Sequence, residues 1–207
     1  MIKKSLITLS VIALFASCGT RSGNNTRQNA NTFDEGVVIN GIRWATRNVD
    51  APGTFAQNPE NQGMLFQWNR KKGWNAVDEE VEGWDNSIPT GTTWYAENDP
   101  CPEGWRVPTV DELSSLENTN REWTTRNGIY GLFFGTVPYQ IFLPIAERRD
   151  NNGILGFNPN PSTGHYWSTS YVSGTTTAWS FTFNNDDTWL LRLFLPVGLS
   201  IRCVAIN

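Results

Sequence analysis

The sharpest chemistry on offer from residue types and spacing is calcium ligation. Asn158-Pro159-Asn160, followed by Asn184-Asn185-Asp186-Asp187, supplies the carboxylate, amide and carbonyl oxygens that a hard cation gathers. A calcium site on Asn160, Asn185 and Asp186 is expected, with Asn158, Asp187 and Trp189 completing a ligand surface where an indole stacks on a sugar face. The same Asn, Asp and Pro residues are also ordinary turn formers. Nucleophilic catalysis finds little to work with. His165 is the sole histidine, between Gly164 and Tyr166 at the start of a strand, and its expected role is structural or at the surface. A glycosidase needs two carboxylates facing across a cleft, and no pattern in the chain sets two together. The expectation is a non-enzyme. Arg106 and Arg202 are chemically able to clamp an acidic ligand, but each is expected to pair with a nearby carboxylate or backbone carbonyl.

The elements that position these residues centre on Pro100 to Thr109. Pro108 biases Val107 to extended geometry, so the chain runs straight to Thr109 and turns there. Thr109 is an N-cap, Glu112 three residues on completes a capping box, and Val110, Leu113 and Leu116 form the buried stripe of a helix. Val37 to Trp44 reads as a hairpin around Asn40-Gly41, and Gly63 to Trp68 as a strand. Residues 69–99 form a long loop region pinned by Trp74, Trp84 and Trp94, with a solvated acidic patch at Asp78, Glu79, Glu80 and Glu82. Strands follow at 129–134 and 139–146, with turns at Asn127-Gly128 and Asp150 to Gly153. Four β-rich runs, 165–171, 178–183, 189–195 and 199–206, are expected to form one antiparallel closing sheet. Within it Trp179, Phe181 and Phe183 should face the core, and Ser180 and Thr182 water.

Met1 to Lys4 is positively charged and Ser5 to Ala16 is apolar but short of a bilayer span, which is the pattern of a secretory signal over residues 1–17. Leu14-Phe15-Ala16-Ser17-Cys18 resembles a bacterial lipoprotein signal, which implies lipidation of Cys18 and an outer-membrane lipoprotein, on the periplasmic face or the cell surface. Residues 18–32 contain too little apolar surface to fold and read as a tether. In an oxidising envelope the two remaining cysteines, Cys101 and Cys203, should pair. Residues 33–207 suit a single domain rich in tryptophan and phenylalanine. Loss of Lys3 and Lys4 with the leader takes the formal charge from −4 to −6, the wrong sign for a phosphate backbone. The basic cluster Arg70-Lys71-Lys72 is too short to change that, and nucleic acid is not an expected partner.

Six blocks in order, Trp44 to Asn48, Gly63 to Trp68, Pro100 to Thr109, Phe142-Leu143-Pro144, Gly164 to Ser168 and Ser200 to Val204, together resemble the Fibrobacter succinogenes major paralogous domain. The resemblance covers nearly all of the body. It implies an α+β fold similar to C-type lectin-like domains, with paired terminal strands, one or two short helices and long irregular loops. The order of the two Asn/Asp motifs is also similar to the lectin calcium pattern. The function implied is a lipid-anchored envelope domain that binds a glycan or an envelope or host protein without catalysis. The alternatives are a structural subunit of a fimbria-like surface assembly and, third, a glycan-acting enzyme.

Overall fold

The computed structural model describes residues 31–156 and 162–206. Lipidation at Cys18, the tether to residue 30, and Asn158 and Asn160 of the expected calcium site therefore lie outside the described residues. The fold is α+β: short, mostly antiparallel strands in several small sheets, with one short α-helix.

β1 (Val37–Ile39) and β2 (Ile42–Trp44) form the first hairpin. Its two-residue turn has Asn40 at φ 52° and Gly41 at φ 80°, the left-handed pair that matches strand twist and that Asn-Gly adopts at little cost. β3 (Leu65–Gln67) is wholly buried and pairs with β4 (Gly73–Trp74). Beyond it the chain to Asp99 is held by its tryptophans, as expected of a loop region pinned by aromatics. Trp74 and Trp84 lie 5.0 Å apart, and Trp94 meets Trp68 edge-on at 5.6 Å. A further pin is Arg149, fully buried, which donates to the carbonyls of Asn75, Asp78, Glu79 and Gly153 at 2.7–3.2 Å. The acidic stretch is thus gripped by its backbone, and the side chains of Asp78, Glu79, Glu80 and Glu82 stay exposed.

β5 (Trp105–Arg106) leads into α1 (Val110–Ser114). Thr109 caps α1 with the full capping box: its hydroxyl accepts from Glu112 N at 3.2 Å, and the Glu112 carboxylate accepts from Thr109 N at 2.8 Å. Leu113 and Leu116 are buried beneath it. β6 (Arg121–Arg126), β7 (Ile129–Thr136) and β8 (Tyr139–Pro144) form a three-stranded meander, with Asn127-Gly128 in the second left-handed turn.

β6 was not expected from its sequence, REWTTR, which is too polar to stand out as a strand. Its charges tie it down instead. Arg126 Nε lies 3.0 Å from the buried Glu60 carboxylate, and Arg121 donates to Thr188 Oγ1 at 3.0 Å.

The closing sheet departs from expectation twice. β9 (Gly164–Tyr171), β10 (Thr177–Phe183) and β11 (Thr188–Phe194) form it, but the fourth run splits into β12 (Gly198–Leu199) and β13 (Val204–Ala205). β12 pairs with β3, and β13 inserts between β2 and β5. The expected wet face of β10 is buried: Ser180 and Thr182 are 0% exposed, while Trp179 is partly open under the Arg192 guanidinium. Hydroxyls tolerate this position because each has a partner. Ser180 donates to the Leu191 carbonyl at 2.9 Å, and Thr182 meets His165.

Two apolar cores result. One gathers Phe55, Phe66, Trp68, Trp167, Leu199 and Ile201, the other Trp44, Leu113, Phe134, Leu143, Phe181 and Phe183.

Candidate functional site

The hub segment closes on itself before it meets anything else. The Asp99 carboxylate accepts from Cys101 N at 2.9 Å and Val107 N at 3.0 Å, so both of its oxygens hold the loop between them. Burial raises this carboxyl above its ordinary range, against the pull of those two N–H groups and of Arg106 and Lys71. Cys101 is bonded to Cys203, with Cα atoms 6.1 Å apart. The backbone pairs Val204 with Arg106 and Ala205 with Trp105, and Ile206 N donates to Gly104 O at 2.9 Å. Trp105 packs edge-on against Phe55 at 5.6 Å.

Arg106 makes two bonds to the Glu112 carboxylate, at 2.6 and 2.8 Å, and that contact raises the guanidinium above its usual value. Burial works to raise the Glu112 carboxyl, but Arg106 and the Thr109 donors outweigh it and hold it low. Arg202 sits apart, fully buried, donating to Asn48 Oδ1, Ala45 O and Phe142 O. Both arginines have the carboxylate or carbonyl partners expected of them, and neither clamp is free for an anion.

Between this hub and the end of β9 opens a groove of about 1130 Å³. Trp94, Trp105 and Tyr171 contribute its rings, and Asp99, Lys71 and Ser170 are among its polar groups. β9 is fixed against the hub by Thr169 N donating to Pro108 O at 2.8 Å and by Ser170 Oγ accepting from Val110 N at 2.9 Å. The Tyr171 ring leans on Trp68 at 5.8 Å, which in turn meets Trp94. The Tyr171 hydroxyl donates to the Thr175 carbonyl. Half-buried rings at Trp105 and Tyr171 beside hydroxyl, carboxylate and ammonium groups are an arrangement suited to a polar ligand with an apolar face.

The residues singled out from sequence lie elsewhere. Asn185, Asp186 and Asp187 occupy the β10–β11 turn, where Asn184 Oδ1 accepts from the backbone N–H of Asp186 and Asp187 at 2.9 and 2.7 Å. Asp187 also accepts from Thr188 N and lies 3.4 Å from Arg121. Trp189 is half-buried on β11. None of these four lines the groove. Among the described residues no group of three or more His, Cys, Asp or Glu is placed to hold a metal ion. The sequence placed Trp105 at a packing hub and Trp94 among the tryptophans that pin the loop, and gave Asp99 and Tyr171 no role in a site. The only signal for them was the proximity of Asp99 to the turn at Pro100, since β9 meets the hub only through the Thr169 and Ser170 hydrogen bonds to Pro108 and Val110.

His165 is buried, its Nδ1 3.1 Å from Thr182 Oγ1 and its Nε2 3.1 Å from Thr163 Oγ1. Burial, aided by the positive charge of Arg148, brings its pKa down to about 4. An unfolded histidine titrates near ~6.5, so between those values the unfolded chain binds a proton that the folded chain refuses. Stability is therefore complete above the unfolded value and is lost as pH falls toward the folded one, by about 3 kcal/mol in all. Urea midpoints between pH 7 and 4.5 should show this slope, and His165→Gln should remove that part of it. An unchanged slope would mean that the imidazole protonates without hindrance in the folded chain.

No protein-family model matches the chain, and no curated protein or solved structure matches it. No helix among the described residues is long and apolar enough to cross a membrane.

Proposed function

We propose that this is a lipid-anchored envelope domain of C-type lectin-like architecture that binds a carbohydrate, without catalysis, in the groove between the hub and β9. The observation that carries the reading is a groove that sets the half-buried rings of Trp105 and Tyr171, with Trp94 buried in its wall, beside Asp99, Lys71 and Ser170. Sugar rings present an axial C–H face to such rings and hydroxyls to the polar groups beside them. The six sequence blocks support the family and the architecture, and Cys18 supports the anchor.

A glycan array followed by calorimetry tests it. Tyr171→Ala should weaken any saccharide found by at least about tenfold, the equivalent of ~1.4 kcal/mol, read at a temperature where the variant is folded. A saccharide whose affinity ignores Tyr171, or an array with no saturable ligand, would sink the groove as the site. Calcium enters through the lectin resemblance, and the exposed side chains of Asn185 and Asp186 leave that turn open to a cation. A calcium titration of the chain beside Asp186→Ala reads that site independently of the groove. Assembly into a fimbria-like structure by strand addition at β6 is less favoured, because that edge strand carries Arg121, Glu122 and Arg126.

A further inference from the structure

We infer that the groove continues into a basic pocket that receives the acid group of an anionic saccharide, so that the ligand is a uronate-bearing or sulfated glycan in preference to a neutral one; this rests on the groove being the saccharide site. A pocket of about 410 Å³ adjoins the groove, and Lys71 lines both. The segment 94–99 is their common wall: Trp94, Ala96 and Asp99 line the groove, while Tyr95 and Asn98 line the pocket.

The pocket's charges are unequal. Arg70 is matched by Asp85, 2.6 Å away, and its remaining donors hold the Asp85 and Ser87 carbonyls, so it builds a wall and offers little to a ligand. Lys71 has no hydrogen bond or ion pair among the described residues. Lys72 lies 3.8 Å over the Trp74 ring, which sets its ammonium in place without neutralising it. Lys71 feels the Asp99 carboxylate across the groove without contacting it, and two exposed ammonium groups thus stand at one end of the groove in a chain whose formal charge is −4. Trp74 supplies a separate observation. It lines the pocket, is 6% exposed, and its indole Nε1 is buried with no acceptor. A buried donor without a partner is costly, and this one stands in the pocket wall beneath the Lys72 ammonium.

Acidic oligosaccharides (oligogalacturonate, alginate, chondroitin sulfate) should be compared by calorimetry with their carboxyl-reduced or desulfated counterparts at fixed ionic strength. The chain should prefer at least one acidic form by about tenfold or more, as expected for charge-assisted contacts. Lys71→Gln with Lys72→Gln should erase that preference, and Tyr171→Ala should weaken both forms together. Equal affinity for acidic and neutral forms, or a preference that survives the double lysine variant, overturns this inference and leaves the groove standing. Binding of neither form overturns the groove reading along with it.

Discussion

Replacing Arg202 with methionine should cost about 3–5 kcal/mol of folding stability, the range for removing one side of a buried charged network. The guanidinium is fully buried and has no carboxylate in hydrogen-bond contact. It is held by Asn48 Oδ1 at 2.9 Å, Ala45 O at 3.1 Å and Phe142 O at 3.0 Å. Burial lowers it to about 10, which still leaves it charged at neutral pH. Methionine fills similar volume but strands three acceptors. The damage should spread through Asn48, whose amide also donates to Gln62 O at 3.0 Å and to the Tyr166 hydroxyl at 3.2 Å. That hydroxyl donates in turn to Pro144 O at 2.8 Å, and burial pushes its pKa up to about 12. Five chain segments distant in sequence therefore share one network. Arg202→Lys, which keeps a charge and a donor, should lose less. Arg106→Met, at a partly exposed pair, should cost about 1 kcal/mol or less. Chemical denaturation checks all three. If Arg202→Met cost no more than Arg106→Met, water would have to reach the stranded carbonyls, and the network would not be holding the fold.

What was legible in the sequence was local. The Asn40-Gly41 and Asn127-Gly128 turns and the Thr109 capping box each depend on a few adjacent residues with one low-energy backbone answer, and each forms as read. The cysteine pairing was legible for a different reason, since two thiols remained and they had one partner each. What was not legible depended on who comes to lie beside whom. The run 199–206 has β-formers throughout, yet its register with β3 at one end and β2 and β5 at the other breaks it in two. Ser180 and Thr182 look like surface residues until Leu191 and His165 cover them. Arg149 has no local mark at all, because its acceptors are carbonyls of residues 75–79 that any side chains could carry. The groove belongs to this second kind. Its lining draws on the segments 71, 92–109, 169–173 and 206, which the pairing of β13 with β5 and the hydrogen bonds of Thr169 and Ser170 to the hub bring together.

Removing the disulfide should have the other large effect, about 2–4 kcal/mol, through the unfolded state. The bridge spans a sequence separation of 102 residues, so the reduced unfolded chain regains much freedom that the oxidised one lacks. The folded side should change little. Cys203 is held by Ala45 N donating to its carbonyl at 2.9 Å, and the pairing of β13 with β2 and β5 does not need the sulfur. Cys101→Ser with Cys203→Ala should therefore keep the near-ultraviolet signal of its tryptophans while its urea midpoint falls. Wild-type chain under a strong reductant should fall by the same amount, and a midpoint indifferent to reductant would refute the entropic account. The neighbouring Arg202 makes a stricter test. Residues in contact usually show coupled effects, but here one change acts on the unfolded chain and the other on the folded network. Arg202→Met combined with the cysteine replacements should then cost the sum of the two losses to within about 0.5 kcal/mol. A combined loss well short of that sum would show that the bridge also sets the geometry in which Arg202 meets Asn48, Ala45 and Phe142, and so acts on the folded state.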